Sequence, residues 1–171
     1  DGTPVVYGGR SSIFLDRLTR LLKRNSGGSK AVTTKGLQMN AAMLAGARMS
    51  YIRPAHCQKA LRRDGYEEYF EAHKDVLRRN IGHRFRDASQ FVPTVLQYTL
   101  LDFQHKIELR PADGRLFFFQ PKDKPGYSAR KMEQLRSFKG PFACFNSIDL
   151  ASEEDRRTLQ EWIASKLNIT L

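Results

Sequence analysis

The stretch Tyr51–Phe91, YIRPAHCQKALRRDGYEEYFEAHKDVLRRNIGHRFRDASQF, decides how the chain is read. It holds two polar knots, Arg53-Pro54-Ala55-His56 and His83-Arg84-Phe85-Arg86-Asp87, on either side of an amphipathic segment. In that segment Tyr66, Tyr69, Phe70, His73, Val76 and Leu77 recur every three or four residues, which predicts one continuous helix with His73 on its buried stripe. The other face, Glu67, Glu68, Glu71, Lys74 and Arg78, runs from acids to bases as the helix dipole favours. Proline and glycine punctuate the knots, so each falls where a regular element starts or stops and side chains can converge on a ligand. Histidine chemistry beside arginines that fork onto phosphate oxygens suffices for phosphoryl transfer.

Upstream of the first knot, DGTPV reads as a turn and a short strand. Ser11 and Ser12 can cap a helix whose apolar stripe is Phe14, Leu18, Leu21 and Leu22, with Asp16, Arg17, Arg20, Lys23 and Arg24 on the other side. The tract Asn25-Ser26-Gly27-Gly28-Ser29 is a breaker, either a loop over a site or a linker, and is no phosphate loop because it follows a helix. Thr33 or Thr34 caps a second helix through Leu37, Ala41, Leu44 and Ala45, ending near Gly46. Met49–Ile52 reads as a strand that Pro54 keeps from a central position. His56 therefore sits just past a strand end.

Downstream of the second knot, Asp87 or Ser89 caps a helix with a stripe of Val92, Val95, Leu96, Thr99, Leu100 and Phe103, and Pro93 falls in its first turn. Such a start would set the helix's N-terminal amides beside Arg84 and Arg86. Ile107-Glu108-Leu109 and Leu116–Phe119 flank Asp113-Gly114, the pattern of a β-hairpin, and the three phenylalanines suggest a strand buried on both faces. Lys122 to Tyr127 is loop, and Arg130 to Phe138 a basic helix. Phe142–Phe145 reads as a buried strand that delivers Asn146 at its carboxyl end, where open α/β sheets place ligand groups. Ser152 opens a last helix with Leu159, Trp162, Ile163 and Leu167 as its core. Strands alternating with helices make the class α/β, mixed and rich in helix.

The 171 residues fit one domain or a large piece of one, and 40% hydrophobic content can fill a core. There is no apolar run of membrane-spanning length and no signal-peptide pattern, and the start at Asp1 reads as cut from something longer. Cys57 and Cys144 offer neither a disulfide framework nor zinc spacing, so a reducing cytosol fits. The net charge of +11 predicts attraction to polyanions: nucleic acid, an anionic membrane face, a nucleotide substrate or a phosphate-bearing polymer.

Among the candidate residues, His56 beside Arg53 and Lys59 serves either as a base next to a bound phosphate or as a histidine bonded at a loop edge. Arg84 and Arg86 share one face of an extended segment while Phe85 anchors the other, and they either bind an anion or pair with Asp87 and the helix glutamates. His83 and His105 stay unassigned. Asn146 either bonds a ligand or caps the following turn. No carboxylate pair or His/Cys cluster has metal-ligand spacing. The Asn168-Ile169-Thr170 sequon is read as chance in a cytosolic chain.

Assembled, these residues resemble the C-terminal half of the Stealth family of hexose-1-phosphate transferases, which includes bacterial capsular polysaccharide polymerases and the animal lysosomal-enzyme N-acetylglucosamine-1-phosphotransferase. One stretch of resemblance runs from Pro54-Ala55-His56 through His83-Arg84-Phe85-Arg86 to the helix beyond Phe91, and the other covers Phe142–Asn146 and the helix after it. The resemblance implies that residues 1–171 are the C-terminal part of a catalytic domain with a Rossmann-like transferase core. It implies a UDP-sugar donor, a glycan acceptor and a place in the cytoplasm or on the inner face of the cell membrane. The family's catalytic histidine falls on His56, its essential arginine on Arg86 and its strand-end asparagine on Asn146, with Arg48 or Arg53 as the basic residue ahead of the histidine and Arg84 as a further phosphate contact. Any Mg2+ ion would find its ligands mainly outside this chain. Ser147 and Gln90 stand where the family usually has acids. The alternative class is a basic nucleic-acid-binding domain, and against it the arginines are not interleaved with exposed aromatics, since most Tyr and Phe residues fall on core stripes.

Overall fold

A computed structural model describes residues 2–25 and 32–169, so the tract Ser26-Gly27-Gly28-Ser29 lies outside the described residues. Those residues form a helix-rich α/β protein with two small sheets. The chain divides into two compact units, Asp1–Ala55 with Lys59–Pro111, and His56–Gln58 with Ala112–Leu171.

The first unit is built on β1 (Val5–Ser12), which pairs antiparallel with β2 (Ser50–Pro54) and parallel with β3 (Glu108–Arg110). The order β2-β1-β3 makes β2 an edge strand, which is where Pro54 is tolerated. Gly8 faces Pro54 across this pair, and a Cβ on it would lie 2.3 Å from the Arg53 carbonyl oxygen. Gly8→Ala must therefore pry β2 from β1, and a drop in stability of about 1–3 kcal/mol is expected from the urea midpoint.

Among the described residues five helices complete the unit: α1 (Ile13–Asn25), α2 (Thr34–Leu44), α3 (Arg63–Ala72), α4 (Lys74–Ile81) and α5 (Pro93–Phe103). The Thr33 hydroxyl caps α2 by accepting the Gly36 N–H. At its other end the Gly46 N–H bonds the Met43 carbonyl and the Ala47 N–H bonds that of Ala42, a closure that needs the φ of +94° at Gly46. Ala41 and Ala42, fully buried, let α2 pack closely on α5. Ile13, Met39, Tyr51, Val95 and Leu96 complete this core.

Tyr51 also carries its main polar tie. It is 1% exposed, and its hydroxyl donates to the Asp16 carboxylate, which the Lys35 ammonium meets on its other oxygen. Burial, and then the bond to Asp16, push the Tyr51 phenol up to about 12. Tyr51→Phe leaves a half-satisfied carboxylate, and a loss of about 1.5–3 kcal/mol is expected. Because the folded value lies above the unfolded value of about 10, this stability is fully present below about pH 10 and disappears as the pH rises through about 12. Urea midpoints of the two proteins should thus differ at pH 8 and converge at strongly alkaline pH.

Several expectations fail here for identifiable reasons. The helix predicted across 66–77 is two, broken at His73 (φ −131°, ψ 51°). Its ring stacks on Tyr69 and its Nδ1–H donates to the Tyr69 carbonyl, so His73 is an exposed helix end rather than a core residue. The α5 helix begins at Pro93 with Val92 as its cap, because Asp87 and Ser89 are used in a separate turn. Phe103 is exposed, while Gln97 is buried with its amide bonded to both the N–H and the carbonyl of Arg62. The stripe Phe14, Leu18, Leu21 and Leu22 on α1 is exposed as well.

The second unit holds β4 (Leu116–Phe119), α6 (Tyr127–Ser137), β5 (Phe142–Phe145), a 3-10 turn at Ile148–Leu150 and α7 (Glu153–Leu167). Gly114 does turn the chain at φ +67°, but no hairpin forms, because β3 pairs with β1 and β4 pairs parallel with β5. Phe117 and Phe119 bury one face of β4 against Met132, Leu135 and Leu159, whereas Leu116 and Phe118 are half-buried, so the strand is covered fully on one face only. The β5 strand is half-buried, with Ala143 exposed. Ser152 caps α7 by accepting the Asp155 N–H, and Leu167 lies exposed beyond the core residues Leu159 and Ala164.

Candidate active site

His56 and Asn146 belong to the second unit. Side chains alternate along β4, so Phe118 points away from the core that takes Phe117 and Phe119. On that outward ring lies the His56 imidazole, with centroids 4.4 Å apart and planes 20° from parallel. The stack sets the ring plane of an exposed histidine.

Asn146 directly follows β5, and its N–H bonds the Phe119 carbonyl at 2.9 Å. The register of Phe119 against Phe145 brings the carboxyl ends of the two parallel strands level. His56, seated on the next-to-last residue of β4, and Asn146, one past β5, thus share the carboxyl edge of one sheet. The Asn146 side chain is exposed and does not cap the following 3-10 turn, which has no side-chain cap. Ser147, where the resemblance expects an acid, sits at φ +54°.

The four predicted arginines belong to the first unit. Arg48 lies just ahead of β2 and Arg53 within it, while Arg84 and Arg86 lie in the loop between α4 and α5. All four are exposed, and among the described residues none makes an ion pair. Arg10, Arg62, Arg63, Arg79, Arg110 and Arg136 each hold a carboxylate. The expected alternative, pairing with Asp87 or the helix glutamates, is therefore not made. The Asp87 carboxylate instead takes the hydroxyl and N–H of Ser89, which hold it below the usual carboxylate range.

Three amide side chains shape this loop, and of these Asn40 and Asn80 carry no signal in the sequence. Asn40 donates to the carbonyls of Ala88 and Gln90, Asn80 accepts the Phe91 N–H, and Gln90 joins the Asp87 N–H to the Asn80 carbonyl. Gln90, where an acid was expected, thus works as a backbone tie. His83 approaches the Ser89 hydroxyl at 3.2 Å. Phe85 does not anchor the segment. It is 77% exposed, with the Arg84 guanidinium 5.3 Å from its ring centre, because the loop's own amide bonds leave no apolar seat to hold it.

A cleft of about 320 Å³ opens between α3 and α5, lined by Arg62, Asp64, Glu68, His73, Gln97 and Lys106 among others. None of the six predicted site residues lines it, and its charges are mixed. Among the described residues no group of three or more His, Cys, Asp or Glu side chains is disposed to hold a metal ion. No family model, curated protein or solved structure matches the chain.

Proposed function

We propose that the chain belongs to a Stealth-type transferase that moves a sugar 1-phosphate from a UDP-sugar to a hydroxyl of a glycan acceptor in capsular or exopolysaccharide synthesis. The acceptor oxygen attacks the phosphorus that carries the sugar, the bond from that phosphorus to the UMP oxygen breaks, and UMP leaves. His56 takes the acceptor's proton. Arg86, with Arg84 and either Arg53 or Arg48, balances charge on the phosphoryl oxygens, and Asn146 bonds the sugar or the phosphate. Positioning and electrostatics dominate such transfers. In this reading the parallel β4–β5 pair is part of a Rossmann-like transferase core.

The observation that carries the proposal is the ring of His56 held on Phe118 at the strand edge that also ends in Asn146. The unpaired state of Arg84 and Arg86 supports it, since arginines without carboxylates are available to phosphate. The test is release of UMP by the full-length protein from UDP-N-acetylhexosamine in the presence of a glycan acceptor. Hydrolysis without acceptor transfer, or no release with any UDP-sugar, would count against the reading.

Phe85 favours a second reading. An exposed aromatic ring between two arginines that make no ion pair offers a base-stacking and phosphate-binding edge for single-stranded nucleic acid, an interleaving of arginine with an exposed aromatic. A gel shift with random RNA that weakens in Phe85→Ala and at high salt would support it over the transferase.

A further inference from the structure

We infer that α1 is a docking helix that lays its apolar face on an anionic lipid surface. Ordinary surface helices turn their apolar stripe inward, and α1 does the reverse. Its polar side meets the first unit: Asp16 lies against Tyr51 and Lys35, Arg17 reaches the Met43 sulfur, and Ile13 is buried. Phe14, Leu15, Leu18 and Leu21 are 42–70% exposed, and their spacing of three, four and seven makes them one stripe along the helix. A continuous exposed apolar face on a strongly charged protein marks an interaction surface.

Charge selects the occupant. The helix carries Arg17, Arg20, Lys23 and Arg24 against the single acid Asp16, and that acid is already matched by Lys35. The whole chain has a net charge of +11. A second copy docked through the same face would bring two identical sets of cations together, which Coulomb repulsion opposes. An anionic bilayer suits both features at once, with acyl chains receiving the Phe and Leu side chains and the headgroup charge complementing the chain's net positive charge. This is surface binding: among the described residues no helix is long and apolar enough to cross a membrane. The surface uses neither His56 nor Arg86, so it stands or falls apart from the transferase reading.

Flotation of the full-length protein with vesicles tests it. Binding is expected to mixed phosphatidylglycerol–phosphatidylcholine vesicles, weaker binding to phosphatidylcholine alone, and a decline with added salt. Leu18→Glu/Leu21→Glu alters exposed positions only, and is expected to weaken vesicle binding by at least about tenfold with an unchanged thermal midpoint. Failure of the wild type to bind either vesicle overturns the inference. Undiminished binding by the double variant also overturns it, since net charge alone would then suffice. Self-association, or capture of an acidic protein, that the double variant abolishes in the absence of vesicle binding reassigns the face and overturns it as well.

Discussion

Replacing His56 by alanine in the full-length protein is expected to slow the proposed sugar 1-phosphate transfer by about a hundredfold to ten-thousandfold, the usual consequence of losing a general base. The fold should survive. The imidazole is exposed and rests on the outward ring of Phe118, so its removal opens no cavity in the core around Phe117 and Phe119. His56→Phe separates chemistry from packing: it keeps an aromatic ring on Phe118 but has no nitrogen to accept a proton. Both variants should show the same deficit in UMP release at wild-type urea midpoints. Near-normal turnover in His56→Phe would sink the base assignment, because the ring would then be only a prop.

What the sequence made legible was local. Thr33 and Ser152 as caps, Pro93 in a first turn, Gly46 as a helix stop and Pro54 on an edge strand each follow from steric or hydrogen-bonding demands within a few residues. The positions of His56 beyond β2 and of Asn146 beyond β5 belong to the same class of inference. Pairing does not. Asp113-Gly114 forms its turn, yet β3 and β4 leave that turn for different sheets, since strand partners are chosen by surfaces far away in sequence. Periodicity likewise predicts an amphipathic α1 but not which face the rest of the unit covers, and it cannot see His73 trading a helical dihedral for a bond to Tyr69.

The candidate site was legible only in its charged and aromatic parts. Asn40, Asn80 and Gln90 set the shape of the 83–90 loop through bonds to main-chain groups, and an amide side chain used this way has neither a period nor a spacing to betray it. The error over Phe85 has the same origin. A phenylalanine between arginines suggests an anchor when the segment is taken as an extended strand, but a loop closed by its own polar bonds needs no anchor and leaves the ring in solvent.

These ties bear on the second large expected effect. Arg86→Ala should lower the turnover of transfer by about a hundredfold to a thousandfold, comparable to the removal of one preorganised charge stabiliser from a transition state. The loop's amide bonds do not involve the Arg86 guanidinium, and it holds no carboxylate, so stability should change by no more than about 0.5 kcal/mol. Charge on the transferred phosphoryl group is redistributed during the reaction, and an interaction made chiefly in the transition state lowers kcat and kcat/KM together. Arg86→Lys keeps the charge but not the fork that grips two oxygens, and should recover only part of the loss. If Arg86→Ala instead raises KM and leaves kcat intact, Arg86 merely helps to hold the donor, and its role as transition-state stabiliser fails. If UMP release is untouched while RNA binding falls, the loop serves nucleic acid, and the exposed Phe85 beside it becomes the better guide to what this protein binds.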